Sequence, residues 1–387
     1  MMRMGPAALH MLHPRDLLRR RPRRETIVIT GVFVVIAILF FISTVAVHAY
    51  NGKISQLSQE WARKGDQDLA GGNAARAIQE YRDALAYDAK NSTYQLHLAQ
   101  ALSRVGEIDE ARAYLLHLWT ETPGDGVVNL ELARLSARTG APDDAVRYFH
   151  NAIYGVWETD PEQRRRETRL DLIRLLLQQD RKNQADAELI SLLALLPRRA
   201  DAYAQAGDLF LQAGDPAHAL EEFRRALRMS PEYEDALLGA GETAFELGQL
   251  GVAQEYLSKA NTERPGNADV QSMLATIKQV HQMDPFGFRL SQRERAARVR
   301  TDFQTAMQRL QTCASQQPAV AGIQAQLAAG QNIAAQITRP SYLRGADAID
   351  STMSFVFDAE SLADKSCGAP QPSDHALELI GKMRESR

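Results

Sequence analysis

The chain has 387 residues and a formal net charge of -3, with 24% charged and only 7% aromatic residues. The charge is uneven, because residues 1–25 hold seven arginines against Asp16 and Glu25 while the rest of the chain is acidic. An acidic body argues against general nucleic-acid binding. The abundance of Ala, Leu, Gln, Arg and Glu favours an all-α fold in which small side chains let helices pack closely.

The N-terminal segment predicts a membrane anchor. Residues 1–25 form a basic tail, and Thr26–Val47 follows without a charged residue, which is long enough to cross a bilayer as a helix of about 20 residues. Only Lys53 follows closely, so the positive-inside rule places the tail in the cytoplasm and the rest of the chain outside, in the periplasm of a Gram-negative cell. We therefore expect one transmembrane helix at 26–50 in the inner or plasma membrane. A signal peptide cleaved near Ala49 stays open as an alternative.

The stretch from Ala200 to Asn267 contains one 34-residue pattern twice. The first copy consists of Tyr203, Ala206, Gly207, Phe210, Gly214, Ala219, Phe223, Ala226 and Pro231. The second copy, 34 positions later, consists of Leu237, Ala240, Gly241, Ala244, Gly248, Ala253, Leu257, Ala260 and Pro265. Small residues stand where two helices would touch, Gly214 stands where the first helix must end, and Pro231 stops the second. This pattern resembles the tetratricopeptide repeat (TPR), a helix–turn–helix unit of the same length.

The same register extends toward the N-terminus and gives about six units. Their approximate limits are 58–91, 92–125, 126–159, 166–199, 200–233 and 234–267. Trp157 replaces a terminal proline, Asp180 replaces a turn glycine, and six residues, Asp160–Arg165, are inserted before the fourth unit. One repeat cannot bury its own apolar face, so we expect a stacked solenoid over residues 55–283 that ends in a capping helix, Ala268–Met283.

The resemblance implies a partner-binding groove lined by the first helix of each unit. The positions that hold ligands in the family include Arg104, Leu130, Arg134, Arg138, Arg174, Asp208, Leu211, Asp235, Leu238, Glu242 and Phe245. We expect this groove to be basic in its middle and acidic toward its C-terminal end, and to orient an extended or helical protein segment by charge. The alternative is a solvated face with weak local ion pairs. The corresponding positions lack the Lys/Asn clamp with which co-chaperone members bind a C-terminal carboxylate.

Residues 286–387 predict a helical extension of the repeats. Ser291 and Glu294 have the spacing of a capping box, which marks the start of a helix. Further helices are expected at about 319–337, 345–364 and 373–385.

Both cysteines of the chain, Cys313 and Cys367, lie in this extension. There is no Cys-x-x-Cys pair and no Cys/His cluster, so we expect no metal site and no cofactor. In an oxidising compartment the two cysteines are free to form a disulfide, which would stabilise the fold by roughly 4 kcal/mol in the chain-entropy model. Two buried thiols are the alternative.

The sequence favours binding over catalysis. It has no phosphate-cradling Gly-rich loop, no His-Glu-x-x-His and no Gly-x-Ser-x-Gly. We expect a non-enzymatic, membrane-anchored TPR scaffold that binds protein partners in envelope assembly, secretion or protein quality control. Two alternatives stay open, namely an adaptor subunit with an enzymatic region at 286–387 and a self-associating structural protein whose inner face packs against another copy.

Overall fold

The computed structural model describes residues 23–317, 322–339, 341–367 and 372–385. The predicted basic tail at 1–25 lies almost entirely outside the described residues. In the described part, the regular elements are α1 (Arg23–Ala70), α2 (Ala74–Tyr87), α3 (Ser92–Val105), α4 (Ile108–Glu121), α5 (Gly126–Arg138), α6 (Pro142–Ile153), α7 (Pro161–Gln178), α8 (Lys182–Leu193), α9 (Ala200–Ala213), α10 (Pro216–Met229), α11 (Glu234–Glu246), α12 (Leu250–Glu263), α13 (Ala268–Met283), α14 (Gln292–Gln316), α15 (Ile323–Ile337), a 3₁₀ turn (Tyr342–Arg344), α16 (Ala346–Ser366) and α17 (Pro372–Glu385). The predicted all-α class is confirmed.

The chain forms two compact units, Met1–Pro161 and Glu162–Arg387. The division falls inside the predicted insertion, Asp160–Arg165, between the third and fourth repeats. We describe each unit by itself.

Helix α1 joins the candidate membrane span to the first repeat without interruption. From Ile27 to Tyr50 its large apolar side chains are exposed, and this part is long and apolar enough to cross a membrane. The helix becomes buried at Ser58 and Ala62, where it packs against α2. At 1.5 Å per residue, the stretch between Val47 and Ser58 spans roughly 16 Å along the helix axis.

Three helix pairs stack in the first unit, formed by the C-terminal part of α1 with α2, by α3 with α4 and by α5 with α6. The turn inside each pair contains a glycine with positive φ, at 84° for Gly72, 90° for Gly106 and 72° for Gly140. These three residues are 34 positions apart, and glycine adopts this conformation without a steric penalty. The repeat register predicted from the sequence is confirmed at these turns.

The first unit ends in a loop that folds back onto α5. Trp157, which stands in place of the repeat proline, covers Gly126 so closely that a Cβ atom there would lie 2.4 Å from the indole ring. The Trp157 Nε1–H donates to the carbonyl oxygen of Ala152 at 2.8 Å, and the Gly126 N–H donates to the carbonyl of Val156 at 2.9 Å. The tryptophan therefore closes this repeat by packing, at the position where four other repeats have a proline.

In the second unit, α9 pairs with α10 and α11 pairs with α12. The ring of Phe223 in α10 is fully buried between two glycines, Gly207 of α9 and Gly239 of α11. Because glycine has no side chain, the ring can pack directly against the backbone of both helices. Asp180, in place of a turn glycine, adopts the left-handed conformation with φ of 56°. Aspartate tolerates this conformation better than most residues, so the fourth repeat keeps the turn.

Helices α13 to α17 continue the core of these repeats. One cluster of buried apolar residues extends from Ile173 in α7 through Val270 in α13 to Ile380 in α17. In addition, α13 packs against both α14 and α17. The predicted boundary between residues 283 and 286 therefore does not coincide with a break in the apolar core.

The start of α14 confirms the predicted capping box. The Ser291 hydroxyl accepts a hydrogen bond from the Glu294 N–H at 3.2 Å, and the Glu294 carboxylate accepts one from the Ser291 N–H at 3.0 Å. The other predicted helices correspond to α15, α16 and α17, although residues 318–321 lie outside the described residues.

Two cross-links tie these C-terminal helices together. Arg309 of α14 forms ion pairs with Glu360 and Asp364 of α16 and with Asp374 of α17. The sulfur atoms of Cys313 in α14 and Cys367, directly after α16, are joined in a disulfide whose Cα atoms are 5.5 Å apart.

Candidate partner-binding groove

The groove residues named from the repeat register all lie on the first helices of helix pairs. In the first unit these are α3 and α5, and in the second unit they are α7, α9 and α11. We call the side of these helices that carries the predicted ligand positions the inner face of each unit.

Two arginines of the first unit make contacts that the sequence analysis did not predict. Arg104 Nη1 donates to the carbonyl oxygen of Leu69 at 2.9 Å, and Arg138 Nη1 donates to that of Ser103 at 2.7 Å. The two donors are 34 residues apart, and so are the two acceptors. Each acceptor lies in the last turn of the preceding first helix, where carbonyl oxygens lack an intrahelical partner and a cation opposes the helix dipole. These arginines therefore join consecutive repeats.

The remaining predicted residues of the basic region differ in accessibility. Leu130 is only 6% exposed, so it belongs to the core, and its expected place in the groove floor is wrong. Arg134 is exposed and lies 3.6 Å from the carboxylate of Glu131. In the second unit, Arg174 is exposed and pairs with Asp171 at 3.3 Å.

The inner face of the second unit is acidic. Asp208 of α9, Asp235 and Glu242 of α11, and Asp269 at the start of α13 act on one another electrostatically. The charges form two rows that follow the repeat, since Asp235 and Asp269 are 34 residues apart, as are Asp208 and Glu242. None of these four carboxylates forms an ion pair within the described residues.

The pKa values of two of these carboxyl groups are raised by loss of surrounding water and by the nearby negative charges. Loss of surrounding water and the charge of Asp235 raise the pKa of Asp208. Loss of water and the charges of Glu246, Asp269 and Asp208 raise the pKa of Glu242. A carboxylate next to like charges is harder to ionise, so a cationic group placed among these side chains would be stabilised.

Apolar side chains separate the acidic positions. Leu211, Leu238 and Phe245 are half-buried and pack against the core of the second unit. A face with acidic groups around a partly exposed apolar floor can contact both the charged ends and the apolar stems of lysine or arginine side chains.

Sequence reasoning missed Asp269, because it belongs to the capping helix, to which no ligand position was assigned. The signal is nevertheless present. Asp201, Asp235 and Asp269 stand at intervals of 34 residues, so the acidic row continues one step beyond the last complete repeat.

A family model described as tetratricopeptide repeat matches residues 68–128 and 210–277. The two matches lie in different units and follow the register of the turn glycines. The chain contains TPR repeats. TPR proteins bind protein partners, so the fold is that of a protein-interaction scaffold.

No curated protein sequence matches this TPR protein. Among solved structures it is similar to PilW, described as a widely conserved type IV pilus biogenesis factor, with 22% identity, 57% of this chain and 99% of that chain covered, and a TM-score of 0.39. It is also similar to PilF of Pseudomonas aeruginosa, with 16% identity, coverages of 58% and 99%, and a TM-score of 0.40. A third is YrrB, a TPR protein with an unusual peptide-binding site, with 19% identity, coverages of 46% and 88%, and a TM-score of 0.34.

Proposed function

We propose that this TPR protein is a membrane-anchored, non-enzymatic adaptor that binds a basic segment of a protein partner on the inner face of its second unit. The observation that carries the proposal is the set of four carboxylates on α9, α11 and α13 that have no ion-pair partner within the described residues. The arginines Arg104 and Arg138, by contrast, are already engaged in joining repeats.

The chemistry of the inner face selects its partner. Asp208, Asp235 and Glu242 repel one another, and the charge of a lysine or arginine would relieve this repulsion. The half-buried Leu238 and Phe245 offer apolar contact between the charges. An extended or helical segment with alternating basic and apolar residues meets both requirements.

The N-terminal helix supports the proposed anchor and compartment. Helix α1 is long and apolar enough to span a membrane, and its arginine-rich start favours a cytoplasmic N-terminus. The proposed topology is single-pass, with the repeats extracytoplasmic. The pairing of Cys313 with Cys367 suits an oxidising compartment of that kind.

A peptide-binding experiment tests the proposal. The full chain in detergent is titrated into each of three fluorescently labelled peptides, and binding is followed by fluorescence anisotropy. The peptides have equal length and equal apolar content, and their remaining positions are all lysine, all glutamate or all serine. We expect the lysine peptide to bind, and we expect a triple variant, Asp208→Asn, Asp235→Asn and Glu242→Gln, to weaken its binding at least tenfold.

The control separates a site from general attraction by an acidic protein. Asp109, Glu158 and Glu263 are exposed and lie outside the inner face, so converting them to the amides removes the same charge. This control variant should bind the lysine peptide like the wild type. Equal losses in both triple variants would show nonspecific attraction, and stronger binding of the glutamate peptide would contradict the proposal.

A further inference from the structure

A second polar cluster lies away from the inner face, where the fourth repeat meets the fifth. Asp186 belongs to α8, Asp215 directly precedes α10, and His218 lies in the first turn of α10. One carboxylate oxygen from each aspartate and one ring nitrogen of His218 all lie within 4.8 Å of one another. These side chains come from different repeats, so the stacking of the two repeats creates the cluster.

Local structure holds two of the three side chains in place. Asp215 is the N-cap of α10, and its Oδ1 accepts a hydrogen bond from the His218 N–H at 2.9 Å. Its Oδ2 lies 2.5 Å from Nδ1 of His218. The ring of Phe210 is stacked against the imidazole, with 5.2 Å between ring centroids and an interplanar angle of 21°. The helix cap and the aromatic contact therefore hold the imidazole and the carboxylate of Asp215 next to each other.

The third side chain contains an unsatisfied atom. Oδ1 of Asp186 is buried and has no hydrogen-bond partner within the described residues. A buried acceptor of this kind is destabilising unless a donor or a cation satisfies it. The charge of Asp186 acts on His218, but the described residues give Asp186 no ion pair and leave its Oδ1 without a hydrogen bond. A bound cation would satisfy this oxygen.

We propose that Asp186, Asp215 and His218 bind one divalent transition-metal cation of the zinc class. An imidazole nitrogen with two carboxylate oxygens matches the ligands that Zn²⁺ accepts, with water completing the coordination. Mg²⁺ and Ca²⁺ prefer oxygen ligands throughout, so the imidazole disfavours them. To share one ion, Nδ1 of His218 and Oδ2 of Asp215 must give up their direct contact and separate to about 3 Å, which a rotation of either side chain accomplishes.

Metal binding would have a mechanical consequence. The ion would join α8 of the fourth repeat to α10 of the fifth, on the side of the stack away from the acidic inner face. Because the ligands come together only in the folded chain, a bound ion would stabilise the stack by mass action. The site is independent of the proposed peptide binding, so either assignment can fail without the other.

Metal titration of the full chain tests the proposal. The protein carries an affinity tag without histidines, is stripped with EDTA in detergent and is titrated with Co²⁺, whose visible absorption reports its ligands. Zn²⁺ is then added in competition. We expect one equivalent of Co²⁺ to bind, to be displaced by Zn²⁺, and to raise the melting temperature by roughly 5 °C at a hundredfold excess over the dissociation constant. A thousandfold larger Mg²⁺ concentration should not displace it.

The variants assign the ligands. Asp186→Asn and His218→Gln should each weaken Co²⁺ binding at least tenfold, whereas His281→Gln, at an exposed histidine of α13, should leave it unchanged. Asp215→Asn keeps an N-cap residue, so a loss of binding in this variant reports ligation separately from folding. Absence of binding at 1 mM Co²⁺, or equal binding by the ligand variants and the His281 variant, would overturn the assignment.

Discussion

Phe223 and the two glycines that enclose it offer a quantitative test of repeat packing. The change Gly239→Ala adds a Cβ atom 2.4 Å from Cζ of the Phe223 ring, whereas carbon atoms in contact are usually 3.5 Å or more apart. The ring is fully buried, and a shift away from α11 moves it toward Gly207, where a Cβ would already lie 2.7 Å from the ring. A movement of the ring therefore cannot remove the clash with the new Cβ atom.

The expected magnitude combines two opposing effects. Overpacking of a core costs about 1–3 kcal/mol, and replacing a helical glycine by alanine returns about 0.5–1 kcal/mol. We expect Gly239→Ala to destabilise the fold by about 1–2 kcal/mol, which lowers the melting temperature by roughly 2–8 °C for a unit of this size. Circular dichroism of the full chain in detergent during heating measures the effect.

Two variants decide whether the packing argument is correct. Gly251→Ala lies in the first turn of α12 with no atom within 4 Å of the new Cβ, so it should leave the melting temperature unchanged or raise it. In a Phe223→Leu background, the smaller side chain should reduce the effect of Gly239→Ala, with a coupling of about 1 kcal/mol or more. Wild-type stability of Gly239→Ala, or an undiminished loss in the Leu background, would refute the reasoning.

Three further changes test other contacts by thermal or chemical unfolding of the full chain. Arg138→Met should destabilise by about 1 kcal/mol, because the Ser103 carbonyl loses the shorter of its two hydrogen bonds and keeps the one from the Gly106 N–H at 3.3 Å. Arg134→Met, at an exposed ion pair, should have little effect, and equal effects of the two changes would contradict the repeat-joining role of Arg138. Burial raises the pKa of Asp302 to about 8, above the unfolded value of 3.8, so the folded state keeps a proton that the unfolded state releases. Between pH 5 and 8 the unfolding free energy should therefore decrease with rising pH in the wild type, with a slope about 1.4 kcal/mol per pH unit steeper than that of Asp302→Asn. Parallel pH profiles of the two proteins would contradict the raised pKa. Reduction of the bond between Cys313 and Cys367 should cost up to roughly 4 kcal/mol, and no change in melting temperature on adding reductant would mean that the bond contributes nothing.

The sequence predicted those parts of the fold that depend on local chemistry repeated at a fixed interval. The turn glycines, such as Gly106 and Gly214, adopt the left-handed conformation that ends the first helix of a repeat. Because glycine favours this conformation, the spacing of these glycines in the sequence indicates the repeat. The capping box at Ser291 was equally visible, because both of its partners lie within one helical turn.

The sequence did not predict the features that depend on contacts between repeats. A long side chain such as Arg104 can extend toward a partner or back to Leu69, and only the packed structure shows which carbonyl it reaches. Leu130 occupies a ligand position of the repeat yet is buried, because accessibility depends on neighbouring helices. The continuation of the core from the repeats into α17 also depends on pairing between distant residues, which a hydrophobic pattern in each helix cannot specify.

The most direct test of the adaptor function is site-specific photo-crosslinking in intact cells that make the full chain. A photoreactive amino acid is placed at Asp235 on the inner face or at Glu255 on α12, the second helix of the same repeat. We predict a protein adduct from position 235 and none from position 255, and we predict that Asp208→Asn with Glu242→Gln suppresses the adduct. Adducts of equal yield from both positions, or an adduct from position 235 that persists in the charge variant, would contradict partner binding by the acidic inner face.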